Sequence, residues 1–402
     1  MRAPKLLAFA PLHGISGESV NEGQLINALS KYSDSVYVFS FVSIKQVIFR
    51  KIPKLAFPMN KNVKVILSPG LPLHIIFLPI IVFYYGLISL FCLIIQKLLN
   101  INIIYIRDRY VGVPMLLLKP LIRKPVVIKS AGFVSDELPP DIRNLPLVGN
   151  IFSALETLVD LHLLRQADVI LVPSLTMRRR IVEKISNIKG KILLCPAGVS
   201  LEKVKKIIQQ KNAKGSKVVI GFLGSLAWWQ GVDILAEAVA IVKKRLVDVE
   251  LFIVGDGPMR NKVVEICEKH KVKYAITGFV SHDKALRYLR GFDVLVLPRR
   301  RTSATEATIP IKVVEAWALG VPVVVTSHEV FKAMCKDGQH ALFVEPEPKD
   351  VAEKILLLAS DRELREKLIC NGQILAKNFD YDEIAKRFIN SVSQERYLIY
   401  DF

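Results

Sequence analysis

Short apolar segments alternate with longer amphipathic segments from the start of the chain. The pattern predicts a strand over residues 6–11, a helix over 20–29 with its apolar residues on one face, and a strand over 35–41. A loop that contains Gly14 and Gly17 joins the first strand to the helix. Strand, glycine-bearing loop, helix and strand form the opening of a doubly wound α/β sheet, so we expect that fold class.

The second half of the chain shows the same alternation, with buried strands predicted over residues 217–223 and 293–297. A short helix is predicted from Pro310 to Gly320, followed by a strand over 321–325. Pro is suited to the first helical position because its missing N–H has no partner there, and Gly ends a helix in a left-handed conformation. The helix is apolar on nearly every side, which predicts that it is largely buried.

Two charged residues interrupt this apolar helix. Glu315 lies in its middle, and Lys312 lies three residues earlier on the same face. An ionised carboxylate among apolar neighbours is costly unless something hydrogen-bonds to it. One interpretation is an internal Lys312–Glu315 pair at a partly exposed edge. The other is that Glu315 accepts hydrogen bonds from the hydroxyls of a ligand whose phosphate lies at the helix N-terminus, which together describe a nucleotide.

Length, charge and cysteine usage narrow the class of protein. A chain of 402 residues usually divides into two domains, and a formal charge of +19 attracts phosphorylated ligands or anionic lipid. No nucleic-acid-binding signature accompanies the charge, so no nucleic-acid partner is predicted. The five cysteines are scattered without a Cys-x-x-Cys pair, which predicts reduced thiols in a cytoplasmic protein without a metal site.

Residues 71–99 form the most apolar stretch of the chain, with no charge between Gly70 and Lys97. Three interpretations stay open: docking on a membrane surface, burial against the sheet, and a membrane span. The strand predicted after it has to return to the same sheet, which argues against a span. The basic residues that precede it suit an anionic bilayer, so we expect a peripheral membrane protein. The apolar run at the amino terminus ends by His13, which is too short for a secretory signal.

Five motifs appear in a characteristic order over about a hundred residues of the second half. They are Gly224-Ser225-Leu226-Ala227-Trp228-Trp229-Gln230-Gly231, Ile253-Val254-Gly255-Asp256-Gly257-Pro258, Thr277-Gly278-Phe279-Val280, Phe292-Asp293-Val294-Leu295-Val296-Leu297-Pro298 and the helix that carries Glu315. In these motifs the chain resembles the family 4 glycosyltransferases, of the "glycosyl transferases group 1" type. The resemblance implies the GT-B fold, which is α/β with two Rossmann-like doubly wound domains facing across a cleft.

The resemblance also implies an organisation of the chain and a co-substrate. We expect an N-terminal acceptor- and membrane-facing domain over residues 1–200, a C-terminal donor domain over 201–379, and a last helix over 380–402 that packs back on the first domain. The co-substrate is a UDP- or GDP-sugar, with no cofactor and no metal. Donor-binding residues are expected at Gly224, Gln230, Gly255, Arg299, Arg300, Thr308, Ile309, Pro310, Lys312 and Glu315. An acceptor or phosphate loop is expected at Gly14, Gly17 and Glu18.

The chain departs from the family pattern at three places. Gln230 stands where a phosphate-holding Lys is usual, Lys129 to Ala131 occupy a region that often carries a His, and Ala307 occupies the position of a first Glu. Because Gln brings no charge, Arg299 and Lys312 become the candidates for stabilising the leaving diphosphate. No side chain stands out as a nucleophile.

The resemblance implies a retaining glycosyltransferase, and the apolar stretch with its basic neighbours predicts that it acts at the cytosolic membrane face. The acceptor is expected to be a lipid-linked saccharide or another glycoconjugate. The alternative, which the three departures keep open, is a catalytically inactive nucleotide-binding scaffold with the same fold.

Overall fold

The computed structural model divides the chain into two compact units. The first comprises Met1–Pro196 together with Ile384–Phe402, and the second comprises Ala197–Glu383. The structure describes residues 3–13, 17–43, 52, 54–55, 58–70, 78–107, 112, 115, 118–130, 146–185, 188, 190–209, 217–245 and 248–393.

The first unit contains a parallel sheet of seven strands in the order β3-β2-β1-β4-β5-β6-β7. The strands are β1 Lys5–Phe9, β2 Ser35–Ser43, β3 Val63–Gly70, β4 Ile103–Ile106, β5 Val126–Lys129, β6 Val169–Val172 and β7 Lys191–Leu194. The helices are α1 Gly17–Lys31, α2 Leu78–Leu98, α3 Pro146–Gln166 and α4 Leu175–Lys184. The central strands are buried and rich in Ile and Val, as expected of a parallel sheet covered on both faces.

The second unit contains a parallel sheet of six strands in the order β10-β9-β8-β11-β12-β13. The strands are β8 Val218–Leu223, β9 Val249–Val254, β10 Lys273–Ile276, β11 Val294–Leu297, β12 Val323–Thr326 and β13 Leu342–Val344. The helices are α5 Leu201–Ile208, α6 Val232–Lys243, α7 Arg260–Lys269, α8 His282–Arg290, α9 Ser303–Ala307, α10 Ile311–Leu319, α11 Glu329–Met334, α12 Pro348–Ser360 and α13 Arg362–Ala376.

Both sheets reverse their strand order at one point, between β1 and β4 in the first unit and between β8 and β11 in the second. Open α/β sheets bind ligands beyond the carboxyl ends of their strands at such a reversal. Two Rossmann-like parallel sheets confirm the α/β fold class predicted from the sequence.

The helix predicted from Pro310 is α10, which begins one residue later. Pro310 has an extended backbone and precedes the helix as its N-cap, so the prediction of Pro310 as the first helical residue is wrong. Gly320 ends the helix in the left-handed conformation, with φ of 72°, as expected. The indole of Trp317 is buried and donates its N–H to the carbonyl of His340 at 2.8 Å, which attaches α10 to the segment before β13.

The apolar stretch of the first half forms α2 from Leu78, and residues 71–77 lie outside the described part of the chain. Within the described residues, none of the helices has the length and hydropathy needed to cross a bilayer. A last helix, α14, spans Tyr381–Ser393, and its residues from Ile384 onward belong to the first unit. There the ring of Phe388 lies 6.4 Å from that of Tyr105 in β4.

Candidate functional site

The strongest candidate site lies at the strand-order reversal of the second unit. Gly224 follows β8 and Gly255 follows β9, with φ of 136° and 144°. A side chain on either glycine would collide with a neighbour: a Cβ on Gly255 would lie 1.9 Å from the carbonyl oxygen of Gly224. These two glycines let the strand ends approach each other closely, in conformations that other residues rarely adopt.

Lys312, the second residue of α10, extends into this strand-end loop. The residue is 6% exposed, and its ammonium donates to Gln230 Oε1 at 3.3 Å and lies 5.0 Å above the ring of Phe222. A Cβ on Gly224 would lie 2.3 Å from Lys312 Nζ, so the ammonium occupies the space beside that glycine. Burial, together with the nearby charge of Arg299, lowers the pKa of Lys312 to about 7.

Arg299, just beyond β11, is a second buried cation of the same site. The residue is 6% exposed, and its guanidinium stacks 5.0 Å above the ring of Trp229 and donates from Nη1 to the carbonyl of Thr308 at 3.4 Å. Nε is buried and has no hydrogen-bond partner among the described residues. Burial lowers the pKa of Arg299 to about 10. The two desolvated cations repel each other, and neither forms an ion pair with a carboxylate among the described residues. Such an arrangement is costly unless an anionic ligand offsets it.

Glu315 is the buried carboxylate of the site, with only 2% of its surface exposed. Its Oε1 lies 2.5 Å from Nε2 of His282, the first residue of α8. Among the described residues, Lys312 and Glu315 do not form an ion pair with each other. Glu315 contacts His282, and Lys312 donates to Gln230. The internal pair that the sequence allowed is therefore not formed.

Arg300, predicted to bind the donor, instead holds the loop together. Nη1 and Nη2 form a two-point contact with the carboxylate of Asp233 at 2.9 and 2.7 Å, and Nη1 also donates to the carbonyl of Trp228 at 2.6 Å. Its guanidinium stacks 4.9 Å above the ring of Trp228. The hydrogen bonds to Asp233 and Trp228 occupy the guanidinium edge that a phosphate would use, so we leave Arg300 out of the proposed site.

The residues before α10 serve mostly as scaffold. Ile309 is buried in the core, and the backbone carbonyl of Thr308 accepts the hydrogen bond from Arg299. Ala307 is buried, and Glu306 turns away toward α11, where it accepts from Nδ1 of His328 at 2.9 Å and from the N–H of Glu329 at 2.7 Å. Neither residue stands in for the first Glu of the family pattern.

The loop predicted in the first unit is described only in part. Gly14 lies outside the described residues, whereas Gly17 is the first residue of α1. Glu18 forms an ion pair with Arg107 at 2.5 Å, next to the strand-order reversal between β1 and β4. The carboxylate of Glu18 therefore already has a partner within the protein, the guanidinium of Arg107.

A buried charge cluster that the sequence did not reveal lies beside this ion pair. The carboxylate of Glu22 in α1 accepts from Lys129 Nζ and from Tyr105 Oη, both at 2.6 Å. Burial raises the pKa of Glu22, but Lys129 and Arg107 outweigh it, and the net shift is downward. Lys129, at the end of β5, is therefore held by a carboxylate.

The described part of the chain contains no group of three or more His, Cys, Asp or Glu side chains that could hold a metal ion.

Part of the second unit matches a known protein family in sequence. Residues 203–374 match the family model described as "Glycosyl transferases group 1", which confirms the group 1 type for that region. An uncharacterized glycosyltransferase of Methanocaldococcus jannaschii is 28% identical over 43% of this chain and 44% of its own length. Alpha-monoglucosyldiacylglycerol synthase of Acholeplasma laidlawii is 23% identical over 52% of this chain and 54% of its own. The chain thus matches about half of the length of these relatives.

Solved structures match almost the whole chain. Sucrose-phosphate synthase from Thermosynechococcus elongatus superposes with a TM-score of 0.72 at 16% identity, covering 96% of this chain and 97% of that one. Anabaena HepE, in complex with UDP and glucose, superposes with a TM-score of 0.68 at 17% identity, covering 97% and 99%. These likenesses confirm the two-domain Rossmann-like fold.

Proposed function

We propose that the chain is a glycosyltransferase whose second unit binds a nucleoside-diphosphate sugar. The observation that carries the proposal is the pair of buried cations, Lys312 and Arg299, at the strand-order reversal. A diphosphate brings negative charge to neutralise both, and the Arg fork and the N-terminus of α10 add directional N–H donors. The HepE structures in complex with UDP and with UDP-glucose are consistent with a uridine nucleotide.

The remaining parts of the proposed donor site follow from the same geometry. Gly224 lets the ammonium of Lys312 lie against the end of β8, and Gln230 lies within hydrogen-bond distance of that ammonium. Glu315 accepts hydrogen bonds from the ribose hydroxyls. Pro310 precedes the helix and leaves its first N–H groups directed at the phosphate.

The proposed reaction depends on electrostatics more than on a nucleophile. As the sugar leaves, negative charge develops on the diphosphate, and preorganised cations in a desolvated site stabilise that charge. Lys312 and Arg299 are the groups we propose for this role. We propose retention of configuration, which the family resemblance implies, and no cofactor or metal takes part in the proposal.

A panel of UDP- and GDP-sugars tests the function. We expect calorimetry to detect binding of one nucleotide, and we expect its sugar to be released or transferred when lipid and soluble acceptors are added. Binding without hydrolysis or transfer for every donor and acceptor would instead support the alternative, an inactive nucleotide-binding scaffold. Absence of any nucleotide binding would contradict both.

We propose that the acceptor is lipid-linked and that the first unit docks on the cytosolic face of a membrane through α2. Six apolar side chains of this helix are exposed, with fractions from 51% for Leu87 to 74% for Leu98. Their spacings of one, three and four residues place them on one side of the helix. The six residues are Phe83, Leu87, Leu90, Phe91, Ile94 and Leu98. The opposite side carries Tyr85 and Cys92, which pack in the core.

An apolar helix face of this size suits the boundary between headgroups and acyl chains, and the charge of +19 favours anionic lipid. The name of the Acholeplasma relative, alpha-monoglucosyldiacylglycerol synthase, refers to a lipid-linked product. It supports a lipid acceptor for this chain.

Charges on the outer face of α2 are expected to release the protein from lipid. We expect the wild type to co-sediment with vesicles that contain anionic phosphatidylglycerol, and we expect Leu87→Asp with Ile94→Asp to remain in the supernatant because each charge would enter the apolar layer. Binding by the wild type should decline with salt.

Ile374 provides a matched control, because it is an equally exposed apolar residue on α13 of the second unit. Ile374→Asp should leave sedimentation unchanged, and melting temperatures should show that all variants are folded. Wild type that stays in the supernatant at low salt would rule out membrane docking.

A further inference from the structure

We infer that His282 is a positioning residue that fixes Glu315 as a hydrogen-bond acceptor for the vicinal hydroxyls of a ribonucleotide. This inference rests on the proposed nucleotide site and adds a residue to it. His282 is nearly buried and belongs to α8, whereas Glu315 belongs to α10. The two side chains therefore join two helices of the second unit.

The partners of His282 determine which of its nitrogens carries the proton. Lys203 Nζ lies 3.3 Å from Nδ1, and the same ammonium forms an ion pair with Asp283. Because an ammonium only donates, Nδ1 accepts, and Nε2 carries the proton that points at Glu315 Oε1. The chain of donors runs from Lys203 through the imidazole of His282 to the carboxylate of Glu315.

This arrangement divides the two oxygens of Glu315 between protein and ligand. Oε1 receives the imidazole N–H at 2.5 Å, and the hydrogen bonds between described residues include none to Oε2. Oε2 is therefore the oxygen that we assign to the ligand. An ionised carboxylate accepts hydrogen bonds from hydroxyls without donating to them.

His282 also keeps Glu315 away from Lys312. The two residues are three positions apart on α10, the spacing at which side chains of opposite charge meet on a helix. Such a pair would neutralise the ammonium that we assign to the diphosphate. With Oε1 held by His282, Glu315 serves the hydroxyls while Lys312 stays available to the phosphate.

The ligand chemistry follows from the position of Oε2. A carboxylate recognises neighbouring hydroxyls and repels a phosphate, so the group it binds is the diol of the ribose. We therefore expect His282 to affect the discrimination between ribose and dideoxyribose more than the overall affinity for the diphosphate.

The test compares two ligands with and without the diol, UDP and 2′,3′-dideoxy-UDP, or the guanosine pair if the wild type prefers it. Dissociation constants are measured by calorimetry for wild type, His282→Ala, His282→Gln and Glu315→Gln. We expect His282→Ala to weaken UDP about tenfold and to change the dideoxy analogue by less than about twofold, since only a hydrogen bond to a charged group is lost. His282→Gln should keep most of the wild-type preference because its amide N–H replaces Nε2–H.

His270 provides a matched control, because it contacts Glu237 on the surface at 3.6 Å, outside the site. His270→Ala should leave both dissociation constants unchanged. Glu315→Gln should lose the preference for the diol at least as fully as His282→Ala.

An equal loss for both ligands in His282→Ala would show a merely structural role and would overturn the inference while leaving the nucleotide site in place. An unchanged preference would overturn it in the same way. Wild type that binds neither UDP nor GDP would overturn the proposed function together with the inference. Melting curves for every variant confirm that the comparison concerns folded protein.

Discussion

Lys312→Ala is expected to lower turnover by about a hundredfold to a thousandfold, the loss seen when one preorganised donor to a developing anion is removed. The ammonium of Lys312 lies beside Gln230 and Gly224, in a strand-end loop that supplies no charge of its own. Its burial makes the interaction strong, because little water screens the ammonium from the leaving diphosphate. Single-turnover kinetics with the preferred nucleotide sugar measure the effect.

Stability should not account for this loss. In the free protein Lys312 is desolvated and has Arg299 as a neighbouring cation, so removing the ammonium relieves an unfavourable interaction. The melting temperature of Lys312→Ala is therefore expected to stay close to that of wild type. Lys332→Ala is the control, since Lys332 is an exposed residue that pairs with Glu329. Near-normal turnover in Lys312→Ala would show that the cation lies elsewhere.

The lowered pKa of Lys312 provides a second test of its role, the pH dependence of nucleotide-sugar binding. Since that pKa is about 7 in the free protein, the ammonium is fully charged only below that pH. Affinity for a nucleotide sugar is expected to be constant below about pH 7 and to decline above it, because binding must then take up a proton. The stability of the free protein changes in the opposite sense, because the unfolded chain binds the proton more tightly between pH 7 and the ordinary lysine pKa of 10.5. Both dependences should disappear in Lys312→Ala.

The fold was accessible from the sequence because parallel strands buried on both faces leave a strong signal. Runs such as Val294–Leu297 and Val323–Thr326 are continuously apolar, and the helices between them are amphipathic. The reversal of strand order places the ends of β8 and β11 side by side. Because parallel strands end at the same edge of a sheet, residues that follow strands, such as Gly224 and Arg299, could be assigned to one edge from the sequence alone.

The contacts within the site were not accessible in the same way. Arg299 and Arg300 are adjacent and chemically identical, yet one is buried against Trp229 and the other is bound by Asp233. Only the path of the loop distinguishes them. His282 is 33 residues from Glu315 in sequence and begins a helix with an ordinary polar pattern, so nothing marked it as a partner.

The exposed side of α2 could not be predicted from the sequence either. Nearly every residue of this helix is apolar, so hydropathy alone predicts no preferred side. The structure distinguishes the sides because Tyr85, Ser89 and Cys92 are packed inside while Phe83 and Phe91 remain exposed. The residues of the surface that we propose as membrane-facing can thus be named only after the packing of α2 on the sheet is known.

Gln230→Lys is expected to restore a large part of the turnover that Lys312→Ala loses. Gln230 Oε1 and Lys312 Nζ are 3.3 Å apart, although the two residues are 82 positions apart in sequence, so an ammonium at position 230 reaches nearly the same point in space. The double variant moves the charge from α10 back to the loop after β8, where the resembling family usually carries it. We expect turnover within about tenfold of wild type, because the stabilisation depends on the position of the charge and not on the element that carries it.

Gln230→Lys in the presence of Lys312 should have the opposite effect. Two ammonium groups about 3 Å apart beside Arg299 repel one another, and the repulsion lowers the pKa of both lysines. We expect the single variant to be less stable than wild type and no more active, while the double variant is stable and active. A double variant as inactive as Lys312→Ala would show that Lys312 does more than supply a charge, for example that it contacts the transferred sugar through its own geometry on α10. The comparison of single and double variants thus separates the position of the charge from the identity of the residue.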